Sequence, residues 1–494
     1  MKWKRLVPFA LVFVLLTGCA GPSGGGVPDN TGSPTPSVSD SPTPSASDSP
    51  SPEISPTGST AAQAPAADLS AYALASPVYP KFPAYPEQPE DGESWDTYFD
   101  AENDYFQAVQ DLRSGAGTAL EHGLPELIDF AARSTPLAIK GHEGENAIYS
   151  PVSLWSALIL AAQCANGESQ EQLLAALGVA TDAETLRNTM RQVWMALYTD
   201  DGRDALTLGN SIWLSNDAQG HYVQDTLDSL AGDCFSGVYS IPMGTAEADQ
   251  AITEWISEQT HGLIGDSGPV VETDALTLAV LASSLYYRAG WRDEFHEANT
   301  WEDTFTAAGG VNSQVDFMHR SENGLFLDED GYQAASLSTR LGEMVFVLPD
   351  EGVTPESLLN DPDFLKGLVF SDEAGAHWGE VQWSVPKFDV NSNLGLLDTL
   401  KGLGINNLLD PDAADLSNLT DIPAYISDAL QMARVKVDEE GVEAAAVTIM
   451  MMEATSAMMP EEQEVCIMDL DRPFLFVVRS NNLPLFVGIV NQVG

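Results

Sequence analysis

At about residue 70 the chain changes character, and that break bounds what it can fold into. From Ala20 to Ala67 it is Gly, Ser, Thr, Pro and Asp, with the near-repeats Ser-Pro-Thr-Pro-Ser and Ser-Asp-Ser-Pro and almost nothing that a core could bury. Beyond it lie about 420 residues of globular character, more than an ordinary single core needs, so one large domain with an N-terminal attachment fits best. A hydrophobic content of 44% and 10 Trp argue for a substantial core rather than disorder.

Ahead of the break, Met1-Lys-Trp-Lys-Arg5 is basic and runs into the apolar stretch Leu6 to Leu16, too short to anchor stably across a bilayer and typical of an export signal. Leu16-Thr17-Gly18-Cys19 resembles a lipobox, in which Cys19 is acylated and becomes the new N-terminus; a signal with a chance cysteine is the alternative. On the first reading residues 1–18 are a lipoprotein signal peptide and 19–68 a disordered Ser/Thr/Pro-rich tether. Residues 69–119 form an N-terminal extension and 120–494 the folded domain. At roughly 3 Å per residue the proline-rich tether reaches about 100 to 150 Å from the lipid. The expected location is therefore the extracellular face of the cell envelope of a bacterium.

The formal charge is −52; losing Lys2, Lys4 and Arg5 with the signal takes 21 basic residues to 18 against 73 acidic ones, or −55. Nucleic acid is excluded as a partner, and basic partners are favoured on approach. With Cys19 assigned to lipid, Cys164, Cys234 and Cys466 remain, without Cys-x-x-Cys spacing. One disulfide with a free thiol, or three buried thiols, both fit; the apolar surroundings of Cys164 and Cys466 favour the second. The sequence has no nucleophile elbow, no zinc-peptidase motif and no phosphate-binding loop, so no metal or cofactor is expected. Gly265-Asp-Ser-Gly-Pro269 looks like a chymotrypsin-type nucleophile segment, but it lacks the second Gly before Pro. It also follows the helix-like stretch Ala251 to Thr260 and reads as a turn.

Periodicity predicts an α+β domain. Ser153 to Leu177 is apolar at helical spacing, broken at Asn166-Gly167. Leu206 to Leu214, Ala275 to Tyr287, Met344 to Leu348 and Phe474 to Val478 read as buried strands, implying large sheets.

Eight segments then resemble, in order, those of the serpin family: Asn146-Ala-Ile-Tyr-Ser-Pro-Val-Ser-Leu154, Asn210-Ser-Ile-Trp213, Leu285-Tyr-Tyr-Arg-Ala-Gly-Trp291, Phe346-Val-Leu-Pro349, Val385-Pro-Lys-Phe388, Val437-Asp-Glu-Glu-Gly-Val-Glu-Ala-Ala-Ala446, Asp471-Arg-Pro-Phe-Leu-Phe476 and Leu485-Phe-Val-Gly488. The resemblance implies a serpin fold, with helices packed on three β-sheets, a large central sheet and an exposed reactive-centre loop. It also implies a suicide inhibitor of serine or cysteine endopeptidases, not an enzyme, and a monomer.

The loop segment is informative by itself. One strand face, Val442, Ala444, Ala446, Thr448, Met450, Met452 and Ala454, carries no charge, while the acids Glu443 and Glu453 share the other. The acidic run Pro460-Glu-Glu-Gln-Glu464 follows, as in an exposed connection; a helix over Glu443 to Met452 is the alternative for the uncut state. On the family's mechanism, cleavage lets the upstream part insert as a new strand and carries the acyl-linked peptidase with it. The hinge would be Glu440, Gly441, Val442, Glu443, Ala444, Ala445 and Ala446. The family's spacing puts the cut between Thr455 and Ser456, with neighbouring bonds from Ala454 to Met458 also candidates because the loop is longer than usual. No Lys or Arg lies between Gly441 and Asp471, so elastase-like or subtilisin-like peptidases are expected rather than trypsin-like ones. The methionines at 450 to 452, 458 and 459 make oxidation sensitivity an expectation.

Two departures from the family stand out: Val442 in the hinge, where inhibitors carry Thr or Ser, and, in the sheet-opening region, Ser283 with Gln431 where the family has Asn and His. Ser150, Ser153 and Trp291 belong to the same region, and Lys387 matches a position that pairs by charge with Glu439. Leu69 to Ala119 matches nothing familiar; Tyr79 to Pro86 reads as an extended arm and Trp95 to Leu112 as a helix, packing on the domain. A non-inhibitory serpin and a surface adhesin or docking lipoprotein are the alternative functions.

Overall fold

The computed structural model describes residues 9–19, 69–77, 79–87, 95–114, 125–178, 182–265, 269–368, 370–371, 375–442 and 464–494. In chain order its first half comprises β1 (Phe9–Cys19), β2 (Ala73–Ala75), α1 (Trp95–Arg113), α2 (Pro125–Ile139), β3 (Ala147–Tyr149), α3 (Pro151–Cys164), α4 (Gly167–Leu177), α5 (Ala183–Leu197), β4 (Thr199–Asp200), β5 (Ala205–Ser215), α6 (Gln224–Asp233), β6 (Ser236–Ile241) and α7 (Ala246–Gln259). The second comprises β7 (Thr277–Gly290), β8 (Thr300–Thr306), β9 (Asn312–Glu329), β10 (Tyr332–Ser338), β11 (Glu343–Pro349), α8 (Pro355–Leu358), α9 (Phe364–Gly367), β12 (His377–Pro386), β13 (Phe388–Gly395), α10 (Leu397–Gly402), β14 (Ala424–Val437), β15 (Gly441–Val442), β16 (Glu464–Asp469), β17 (Phe474–Ser480) and β18 (Leu483–Val490).

Local chemistry sets the helix ends. The Ser150 hydroxyl accepts from the Ser153 amide at 3.3 Å and Pro151 occupies the first turn, so α3 starts cleanly. Every residue of α3 is buried, which is why its sequence is apolar all round rather than striped. It packs against β7 of one sheet and β18 of the other. The break at Asn166-Gly167 separates α3 from α4, and α4 stops at Gly178 in the left-handed conformation (φ 75°).

The main sheet runs β13, β14, then β1 and β15 end to end, then β7, β5, β6 and β2, with β4 alongside β5. The other strands join in a second ladder, β16-β12-β9-β10-β11-β17-β18-β3, with β8 on β9. Among the described residues the three expected sheets are therefore one sheet and two lobes of another. The 18-residue β9 joins those lobes, pairing with β8 and β12 over most of its length and with β10 at its far end.

The extension packs on the domain. Its strand β2 pairs with β6 at the rim of the main sheet, and the Ser240 amide donates to the Tyr72 carbonyl at 2.8 Å. Tyr79 stacks on Trp194 (5.3 Å), Phe235 (6.0 Å) and Tyr198 (6.2 Å). From α1, the Tyr105 hydroxyl donates to Asp201 at 2.5 Å, and Arg113 donates to the Tyr198 carbonyl and the Thr199 hydroxyl. Among the described residues no helix is long and apolar enough to cross a membrane. Cys164, Cys234 and Cys466 are buried free thiols, each pushed up to about 12 by burial, which makes them inert at neutral pH.

Candidate functional site: the opening of the main sheet

β7 and β14 run in the same direction with a gap between them, and two strands fill it from opposite ends. From the top, β14 turns at Asp438, Glu439 and Glu440 into β15, which lies antiparallel to both neighbours: Val442 stands opposite Val437 and Ala289, and Gly441 opposite Gly290. From the other end β1 runs parallel to both, pairing from Ala10 with Thr277 to Cys19 with Tyr287, and from Phe9 with Ala424 to Gly18 with Arg434.

The turn is held by its backbone. The Trp291 ring nitrogen donates to the Asp438 carbonyl (2.9 Å), the Trp291 amide to the Glu440 carbonyl (3.0 Å) and the Phe295 amide to the Glu439 carbonyl (3.0 Å). Gly441 is required by space. A Cβ there would sit 2.5 Å from the Ala289 carbonyl oxygen and 2.6 Å from Gly290 Cα, both rigid backbone. Lys387 and Glu439 form an ion pair at 2.8 Å beside the turn. Burial is the largest single influence and works against the Glu439 charge, but the hydrogen bonds from Lys387, its own amide and Thr300, with the Lys387 charge, together outweigh it and hold the carboxyl below its ordinary range. Glu440 goes the other way, raised by burial and by the carboxylates of Asp438, Glu294, Glu439 and Glu297. The opening is thus ringed by acid, with Lys387 on Glu439 and Lys436 on Asp438 at 3.6 Å.

Lower down, Gln431 and Ser150 exchange two hydrogen bonds, with the Ser150 amide donating to Gln431 Oε1 (2.7 Å) and Gln431 Nε2 donating to the Ser150 carbonyl (3.0 Å). The Ser150 hydroxyl also meets the Ser153 hydroxyl at 3.1 Å. Gln431 therefore fastens β14 to the start of α3. Ser283 is buried on β7 opposite Asn210 of β5, and Ser283 and Gln431 both stand opposite Leu15 of β1, so a strand separates the two departures.

A cluster that the sequence did not reveal braces the top of β7. Asp204, 1% exposed, accepts from Arg340 Nε at 3.0 Å to each oxygen, from Arg203 Nε at 2.9 Å and from the Gly290 amide at 3.3 Å. The only sequence signal was the turn Asp201-Gly-Arg-Asp204 leading into a buried strand. The hinge residues Glu443, Ala444, Ala445 and Ala446 and the bond Thr455–Ser456 lie outside the described residues, as does the segment 266–268. Among the described residues no group of His, Cys, Asp and Glu could hold a metal ion.

The profile of the Serpin (serine protease inhibitor) family matches residues 126–493. Serpin-Z2B of Triticum aestivum is 31% identical over 372 residues, covering 70% of this chain and 90% of its own. Plasminogen activator inhibitor 1 of Neovison vison is 27% identical, over 74% of this chain and 91% of its own. Among solved structures, the thermophilic serpin tengpin in its native state superposes with a TM-score of 0.66 at 26% identity, over 76% of this chain and 95% of its own.

Proposed function

The chain belongs to the serpin family, and from that premise we propose that it is a suicide inhibitor of serine or cysteine endopeptidases, carried outside the cell by a lipid on Cys19. The observation that supports this reading most directly is the start made by β15. Val442 stands opposite Val437, so each further residue taken up in that register moves one place back along β14. Ala445 would fall opposite Arg434, and Thr455 opposite Ala424, the first residue of β14. On the other side the pairing of Val442 with Ala289 would bring Ala454 opposite Thr277, the first residue of β7. The stretch from the hinge to Thr455 is thus as long as the gap it would enter, and a peptidase acylated at Thr455 would be drawn the whole length of the sheet.

The residues available for insertion suit a strand buried on both faces. Ala444 to Met452 contains no charge, and each ladder hydrogen bond gained contributes about 1 kcal/mol net besides the apolar burial. The peptidase would be elastase-like or subtilisin-like, given the Thr at the bond and the lack of Lys or Arg in the loop. A relative whose name describes an inhibitor of plasminogen activator is consistent with the class of activity.

The test is incubation of the chain from residue 19, with Cys19→Ser, with elastase-like, subtilisin-like and papain-like peptidases. A complex that survives detergent, with a released peptide beginning at Ser456, is the expected result. Clean loop cleavage without a complex would favour the non-inhibitory alternative; a partner bound with no cleavage would favour the docking lipoprotein.

A further inference from the structure

The stretch of β14 that the loop would need, Ala424 to Arg434, is the stretch that β1 holds. Phe9 to Gly18 pairs with β14 from Ala424 to Arg434, and Ala10 to Cys19 with β7 from Thr277 to Tyr287. β1 ends where β15 ends: only Val435 and Lys436 of β14, and Arg288 of β7, separate the last partners of one from the first partners of the other.

We propose that the export segment is an internal plug of the main sheet, so that the unprocessed chain cannot take up its own loop and becomes competent only when residues 1–18 are removed. The inference rests on the inhibitor reading above. Its physical basis is that one gap presents two rows of backbone donors and acceptors, which must be paired once they are buried. A strand covered on both faces reads as an unbroken apolar run, and the run that drives export, Phe9 to Leu16, has that composition. The two occupants differ in direction. β15 continues a tight turn from β14 and has to be antiparallel, whereas β1 is under no such constraint and runs parallel to both neighbours. They share the gap only while β15 stays short, since past Ala444 every further position taken by the loop displaces a residue of β1. A chain still inside the cell would thus be spared from trapping peptidases there, and from slipping its uncut loop into the sheet before export.

The same geometry places the Gly18–Cys19 bond within the ladder, opposite Arg434, Tyr286 and Tyr287. Removal of the segment therefore has to precede closure of the sheet, or wait until β1 withdraws.

The experiment compares three forms purified in mild detergent: the full-length precursor held unprocessed by Cys19→Ser, the same precursor with Leu15→Pro, and the chain from residue 19 with Cys19→Ser. Proline removes an amide from the middle of β1 and is poorly tolerated within a sheet. Each is titrated with an elastase-like peptidase, and detergent-stable complex is counted per loop cleaved. The precursor is expected to give at least tenfold less complex than the chain from residue 19, and Leu15→Pro to recover most of it. Equal yields from the precursor and the processed chain would overturn the plug. If no form makes a complex, the inhibitor reading fails and the plug is judged by thermal melts before and after loop cleavage. A gain in melting temperature on cleavage in the processed chain alone sustains the plug, and the same gain, or none, in both forms overturns it.

Discussion

Gln431 satisfies both backbone groups of Ser150 at once, accepting from its amide at 2.7 Å and donating to its carbonyl at 3.0 Å. One side chain of the main sheet thereby completes the N-terminal end of the helix beneath it. Gln431→Leu keeps the volume and removes both bonds; the Ser150 carbonyl retains the Leu154 amide at 3.3 Å, whereas the buried Ser150 amide is left unpaired. We expect a loss of about 1 to 3 kcal/mol, the cost of one unpaired buried group, seen as a lower urea midpoint with an unchanged slope.

Asp204 gathers Arg340, Arg203 and the Gly290 amide in a buried setting. Asp204→Ala leaves Arg340 without its counter-charge, and deletion of one member of such a buried pair costs about 3 to 5 kcal/mol. Thermal melts should show that loss, while the double change Asp204→Ala with Arg340→Met should regain part of it. A double variant no more stable than the single one would refute the role given to this pair.

Gly441 has no room for a Cβ against Ala289 and Gly290. Gly441→Ala should push β15 out of the gap without touching the core, and hydrogen exchange of the Val442 amide should rise at least tenfold over the unaltered chain. An unchanged exchange rate would mean that the turn relaxes around the methyl group.

The Lys387–Glu439 pair gives the opening a pH dependence with a definite sign. The Glu439 carboxyl is held below its ordinary value of 4.5 despite the opposing effect of burial, so its contribution is present above that pH and is lost as pH falls through the depressed folded value. Lys387 is raised above 10.5 although burial, the largest single influence, opposes it, because the Glu439 hydrogen bond and the charges of Glu439, Asp438 and Asp316 together prevail; its contribution is present below 10.5 and is lost as pH rises through the folded value. Because Lys387 is 37% exposed, the pair is worth only about 0.5 to 1 kcal/mol. Lys387→Met should remove that increment at pH 7 and flatten the acid limb of the stability curve.

Tyr79 fastens the extension by stacking in a row with Trp194, Tyr198 and Phe235. Tyr79→Ala forfeits aromatic contacts worth about 0.5 to 1.5 kcal/mol each beyond their burial. Limited proteolysis between Leu69 and Arg113 should accelerate several-fold in the variant, with the domain itself left intact.

Local order was legible in the sequence and long-range pairing much less so. The helical stretch broken at Asn166-Gly167, the strands around Leu206 and Ala275 and the helix starting at Trp95 all follow from periodicity and breakers, which are recorded within a dozen neighbouring residues. The pairing of Lys387 with Glu439 was expected from a resemblance rather than from spacing. The exchange between Gln431 and Ser150 spans 281 residues, and Asp204 lies 136 from Arg340; no periodicity encodes such partners. The place of Phe9 to Cys19 was hidden for a different reason, since an export run and a doubly buried strand draw on the same apolar residues.

The short strand β2 has one more effect, on how neighbouring copies meet. Without it the rim of the main sheet would be β6, whose free amides and carbonyls are a template for any extended chain. Instead that rim ends in three residues of β2, and the arm beyond carries Pro77, Pro80, Pro83 and Pro86, none of which has an amide to offer. A crowd of these molecules, however dense, meets at that rim an edge too short and too proline-rich to propagate a ladder, and colloidal stability is thus written into the segment before the domain begins.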